Sequence, residues 1–167
     1  MGGKMSDIKL TPIERLMLLN QFRILNRLEP DEGWAETISV LEGGFSNEYG
    51  GIFDYLGNEL PADEGDFVLN VLTMYEAMQR AVPDAPADGH DPYRFPGFDG
   101  NNEGAYLAYY RHVIEIQRRW DYLRRGRDLN SHFPTLERYR RMLRRYLEMD
   151  VRIDAMTPDQ ARELIEL

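Results

Sequence analysis

Cysteine is absent from the 167 residues, which excludes disulfides and thiolate metal sites. Histidine is scarce: only His90, His112 and His132 occur. None forms a His-Glu-x-x-His pair or the Glu-x-x-His pair used twice in helical di-iron proteins. His112 and Glu115 stand in the reverse order, and one pair of ligands does not make a metal site. No metal and no cofactor is expected. Ser39, Ser46 and Ser131 lack a nucleophile elbow or an evident base. Gly43-Gly44 and Gly50-Gly51 follow no strand, so a dinucleotide loop is unsupported. No apolar run approaches the ~20 residues of a membrane span. Met1-Gly2-Gly3-Lys4-Met5 has no apolar run behind its lysine, so a secretion signal is not expected. The absence of cysteine and of such a signal together point to a cytoplasmic protein. Strand-like alternation beyond a few residues and repeats of fixed period are also missing.

What remains is globular and acidic: 43% hydrophobic, 29% charged, net charge -9. That charge opposes general affinity for nucleic acid or anionic membrane. It is unevenly spread. Residues 29–103 hold 17 acids against Arg80 and Arg94, whereas residues 111–145 hold 11 arginines against four acids. Such a basic block either binds nucleic acid or lies against the acidic block, within one chain or across a dimer. Arginines alternating with core residues favour the second reading.

In chain order, Thr11-Pro12-Ile13-Glu14 opens the first helix with a capping box and proline at its first position. Its apolar residues, from Ile13 to Leu28, form a stripe too wide for an exposed amphipathic helix, so a central helix is expected. Asn20 and Gln21 interrupt the stripe and are expected as buried hydrogen-bonding groups. A short helix from Trp34 to Leu41 ends at Gly43-Gly44. Ser46 is read as the cap of another short helix, and Gly57-Asn58 as a break. Pro61-Ala62-Asp63-Glu64 starts a stronger helix, its acids complementing the helix dipole. Residues 82–96 hold four prolines and read as a surface crossover. Residues 95–123 hold the longest helical pattern, capped by Asp99 or a neighbouring asparagine, with Tyr106, Leu107, Tyr110, Val113, Ile114, Gln117 and Trp120 on one stripe. At ~100° per residue Glu103 falls on the same stripe. A carboxylate there needs a partner: a helix N-terminus, Arg111 or a tyrosine hydroxyl. Ser131 and Pro134 introduce the next helix, and Thr157-Pro158-Asp159-Gln160 repeats the opening cap. The expected architecture is all-α: a single-domain irregular bundle of about six to seven helices over residues 11–167, with 1–10 disordered or tag-like.

Three patches resemble the YfbU family, a group of uncharacterised bacterial proteins with an all-helical fold. They are Glu14-Arg15-Leu16-Met17-Leu18-Leu19-Asn20-Gln21-Phe22; Gly97-Phe98-Asp99 followed by Glu103, Tyr106-Leu107, Tyr109 and Arg111; and Glu137-Arg138-Tyr139-Arg140-Arg141-Met142-Leu143. Met74-Tyr75 adds a weaker fourth. The resemblance runs in order from about Thr11 onward, with residues 83–94 and 118–127 fitting less well. It implies the fold and a cytoplasmic location, and no catalytic residue.

The candidate ligand site is Asp99, Glu103, Tyr106, Tyr109 and Arg111, joined by Asn20 and Gln21. A carboxylate, a guanidinium and phenols near one helix start suit a small polar ligand or a peptide carboxylate. The plainer alternative is a cap and polar network that locks two helices together. Functionally, a self-associating protein-interaction module, forming a homo-oligomer or binding a protein partner, is expected first. A nucleic-acid reading would use Arg118, Arg119, Arg124, Arg125, Arg127, Arg141, Arg144 and Arg145. A small-molecule enzyme at the start of the central helix ranks third.

Overall fold

The computed structural model describes residues 8–54, 56, 59–83, 91–124 and 130–167, with only the backbone of Asp31, Asp121 and Arg124. The expected break at Gly57-Asn58, residues 84–90 of the proline-rich crossover, His90, Arg125 and Arg127 lie outside the described residues. The described chain is all-α. The one β-type pairing among the described residues is an isolated parallel bridge between Phe98 and Asn130. Two compact units divide it, Met1–Asn58 and Glu59–Leu167. The division falls well before the proline-rich segment.

In the first unit, α1 (Pro12–Leu28) packs on α2 (Trp34–Gly43), followed by α3 (Tyr49–Phe53). Thr11 and Glu14 form the expected reciprocal capping box at the start of α1. α2 ends at Gly44, whose φ of 68° favours glycine. A Cβ there would collide with the Arg15 guanidinium. Ser46 opens a 3-10 turn rather than capping through its side chain. The core is Leu19, Phe22, Leu41, Tyr49 and Ile52, with Ile8 and Leu10 against it. Phe22 meets Trp34 at a centroid distance of 5.5 Å.

The expectation of a central α1 is overturned. Only Leu19 and Phe22 of its apolar residues are buried, while Ile13 is 72%, Leu16 56%, Met17 58%, Ile24 59% and Leu28 72% exposed. Asn20 and Gln21 are exposed as well, not buried. A stripe this wide holds two faces, and α2 and its neighbours cover one.

The second unit is built on α4 (Ala62–Ala81), the longest helix, which packs against α5 (Gly104–Arg111), α7 (Leu136–Glu148) and α8 (Pro158–Ile165). α6 is the short Asp121–Arg124. Seven residues of α4 are buried, among them Val71, Leu72, Tyr75 and Met78. They meet an aromatic cluster in which Phe95 and Phe98 each lie within 6.1 Å of Tyr110 and Tyr139, centroid to centroid. Edge and tilted contacts of this kind add to the area buried.

The long helix expected across residues 99–120 is shorter at both ends. Asp99, Asn101 and Asn102 form a turn, and Glu103 takes the N-cap position. After Arg111 the helix widens into a π turn, His112–Ile116, closed by Gln117 N donating to His112 O at 3.1 Å. The chain then leaves helical geometry through left-handed Arg118 (φ 57°) and Trp120 (φ 51°). That exit places Trp120 Nε1 2.7 Å from Glu76 Oε2 on α4. At the C-terminal end, Thr157 and Gln160 form the second expected capping box.

Candidate functional site

The turn before α5 brings two of the predicted site residues together. Asp99 and Glu103 are both buried. Asp99 Oδ1 accepts from Asn101 N at 3.1 Å, and Oδ2 accepts from Asn102 Nδ2. Glu103 N donates to Asp99 O at 2.7 Å, and Asp99 N donates back to Glu103 Oε2 at 2.9 Å. The remaining donors come from the start of α7. Thr135 N (2.6 Å) and Leu136 N (2.9 Å) donate to Glu103 Oε1, and Thr135 Oγ1 donates to Oε2 at 2.7 Å. Four donors fill the acceptor capacity of a carboxylate. Burial alone would raise the Glu103 pKa. The bonds from Asp99, Leu136 and Thr135 outweigh it and hold the group below the ordinary carboxylate range. Glu103 is therefore an anion at neutral pH, fastening the first turn of α7 to the turn before α5.

Neighbouring contacts tighten this junction. Ser131 N donates to Phe98 O at 3.1 Å. Asn130 Oδ1 accepts from Gly100 N at 3.0 Å and His132 N at 2.9 Å. Tyr139 Oη donates to Gly97 O at 2.7 Å. Thr135 and Asn130 had no place among the predicted residues. Thr135, just before the apolar Leu136, carried a readable N-cap signal. Nothing in the spacing linked Glu103 to a helix starting 33 residues later.

The other predicted residues go elsewhere. Tyr106 Oη donates to Glu64 Oε2 at 2.8 Å. Glu64 Oε1 lies 3.6 Å from Arg140, whose guanidinium stands 5.8 Å over Phe67. Tyr109 stacks on His112 and lies over Gly65 of α4, where an added Cβ would come to 3.6 Å from its ring. Arg111 is exposed at the far end of α5, roughly 12 Å along the helix from Glu103. Asn20 and Gln21 belong to the first unit, on the outward face of α1.

Several arginines of the basic block serve packing. Arg145 pairs with Glu163 at 2.6 Å and Glu148 at 3.4 Å. Arg141 donates twice to Leu167 O, at 2.9 and 3.1 Å, and Arg138 to Ile165 O at 3.0 Å. Arg119 stands 4.4 Å over the Trp120 ring. Arg118 and Arg144 are exposed. Only the backbone of Arg124 is described. Among the described residues no group of three or more His, Asp or Glu is placed to hold a metal ion, and no helix is long and apolar enough to cross a membrane.

Among the described residues, the outer face of α1 carries a row of exposed apolar side chains. Ile13, Met17, Ile24 and Leu28 lie on one side of the helix, with Asn20 and Gln21 midway. Leu18, Leu19, Phe22 and Leu25 pack on the other side. Arg23, at the edge, pairs with Glu42 of α2. Beside it a groove of about 330 Å³ is lined by Pro12, Arg15, Leu16, Leu19, Leu41 and Glu42. The width of the apolar stripe was the available sequence signal, but it did not distinguish a helix with one covered face from a buried one.

Comparison with known proteins places the chain in a family. UPF0304 protein MJECS11 of Methanocaldococcus jannaschii is 38% identical over 143 residues, covering 80% of this chain and 85% of its own length. A UPF0304 protein of Histophilus somni is 28% identical over 142 residues, covering 81% and 86%. The YfbU domain matches residues 8–163, nearly the whole chain, which therefore belongs to the YfbU family.

Proposed function

We propose that this protein is a self-associating helical interaction module, with the outer face of α1 as its contact surface. The supporting observation is the exposure of Ile13, Leu16, Met17, Ile24 and Leu28, each more than half open, on a helix whose opposite face is already packed. Scattered exposed apolar residues are ordinary, but a row along four helical turns, interrupted at Asn20 and Gln21, marks an interaction surface. The saturated Glu103 junction supports the same reading from the other side, since its polar atoms are spent on holding α7.

Light scattering of the purified chain over a concentration series, at low and about 1 M salt, tests this. The row carries no formal charge, so association that persists at high salt is the expected result. A strict monomer at every concentration contradicts the reading. Association that dissolves in salt contradicts the assignment to α1 and points to the acidic and basic blocks.

A further inference from the structure

We propose that α1 pairs antiparallel with α1 of a second copy of this chain, across a two-fold axis passing between Asn20 and Gln21. The proposal rests on the self-association reading and names its partner and geometry. The outward positions of α1 are symmetric about that midpoint. Ile13 lies as far before it as Leu28 lies after it, and Met17 and Ile24 flank it equally. A two-fold contact must be self-complementary, with each residue meeting its counterpart. Antiparallel pairing in this register sets Ile13 at the height of the partner's Leu28 and Met17 at the height of the partner's Ile24. The amides of Asn20 and Gln21 share the central layer, where they can satisfy one another. A polar residue at one seam position fixes register in paired helices.

The helix dipoles and the area point the same way. Antiparallel pairing opposes the two α1 dipoles, whereas parallel pairing would align them. Arg23 stays with Glu42 of its own chain, outside the seam. The five exposed apolar residues offer at most roughly 500–600 Å² per copy. Complete burial in two copies gives about 1,000–1,200 Å², the lower edge of specific interfaces.

The absence of cysteine makes the test clean. Met17→Cys chains and Ile24→Cys chains are prepared separately, mixed, and oxidised mildly. In the proposed register the mixture yields a one-to-one cross-linked dimer in large excess. Either variant alone yields almost none, because like positions are offset by about 10 Å along the helix, beyond the ~4.4–6.8 Å Cα separation of a disulfide. Ile13→Cys with Leu28→Cys repeats the test should either first variant fail to fold by circular dichroism. Efficient cross-linking within each single variant would establish a parallel pair and overturn the proposal. Dimers by light scattering with no cross-link in either pairing would overturn this geometry while leaving self-association intact. Monomers throughout would end both.

Discussion

Glu103 opens one helix and caps another: its carboxylate takes both the amide and the hydroxyl of Thr135, at 2.6 and 2.7 Å, across 32 residues of chain. A helix start has amides without internal partners, and α7 lacks a side-chain cap from Thr135 itself. Glu103 supplies what its own N-cap does not. This is a tertiary cap, and it links the packing of α5 to the position of α7.

Glu103→Ala leaves the buried Thr135 amide and the half-buried Leu136 amide without their acceptor and should cost about 3 kcal/mol of stability. Glu103→Gln, which keeps one accepting oxygen, should cost about 2 kcal/mol. The folded-state pKa of Glu103 is lowered, so its stabilisation is complete above the unfolded value of about 4.3. It diminishes as pH falls through the lower folded value. Urea unfolding between acid and neutral pH should show that acid limb in the native chain and lose this part of it in Glu103→Gln. Equal slopes in the two proteins would contradict the assignment.

The alkaline limb has a different source. Burial, chiefly, raises the phenol pKa of Tyr75, Tyr106, Tyr139 and Tyr146. A raised folded pKa stabilises below the unfolded value of about 10 and is lost as pH rises through the folded one. Phenolate absorbance should therefore show these buried and half-buried tyrosines ionising only together with unfolding. Smooth ionisation of all ten tyrosines near pH ~10 before unfolding would contradict the packing described for the second unit.

Arg118 sits exposed at φ 57° after the π turn. A side chain in left-handed geometry costs about 1–2 kcal/mol relative to glycine, partly offset by glycine's greater freedom when unfolded. Arg118→Gly should raise stability by about 0.5–1 kcal/mol. Thermal unfolding measures it, and a destabilised variant would show that the arginine makes a compensating contact.

Thr157 caps α8 and is itself bonded by Gln160. Thr157→Ala should cost about 1 kcal/mol, and Thr157→Asp or Thr157→Ser much less. Denaturant unfolding of the three variants separates loss of a cap from loss of a methyl group.

What could be read from the residues alone follows from how local each cause is. Both Thr-Pro-x-acid or amide caps and the glycine end of α2 depend on neighbours within four positions, and all three appear as expected. Glu103 was legible as a carboxylate needing a partner, and a helix N-terminus supplied it, though from α7 rather than α5. The π turn and the exit at Arg118 were hidden because the apolar period runs on through Gln117 to Trp120. The exit carries Trp120 to its bond with Glu76 on another helix, a contact that the local period does not encode. The apolar row of α1 was legible as a composition but not as an orientation. A stripe covered on one side and open on the other has the same residues as a buried one.

The central claim is that the outer face of α1 holds two copies of this chain together. Sedimentation equilibrium of the native protein beside Met17→Glu and Ile24→Glu tests it most directly. The native chain should sediment at twice its 19.6 kDa, while each variant, with unchanged circular dichroism, should sediment as a single chain. Native protein at 19.6 kDa, or variants that remain paired, would contradict it.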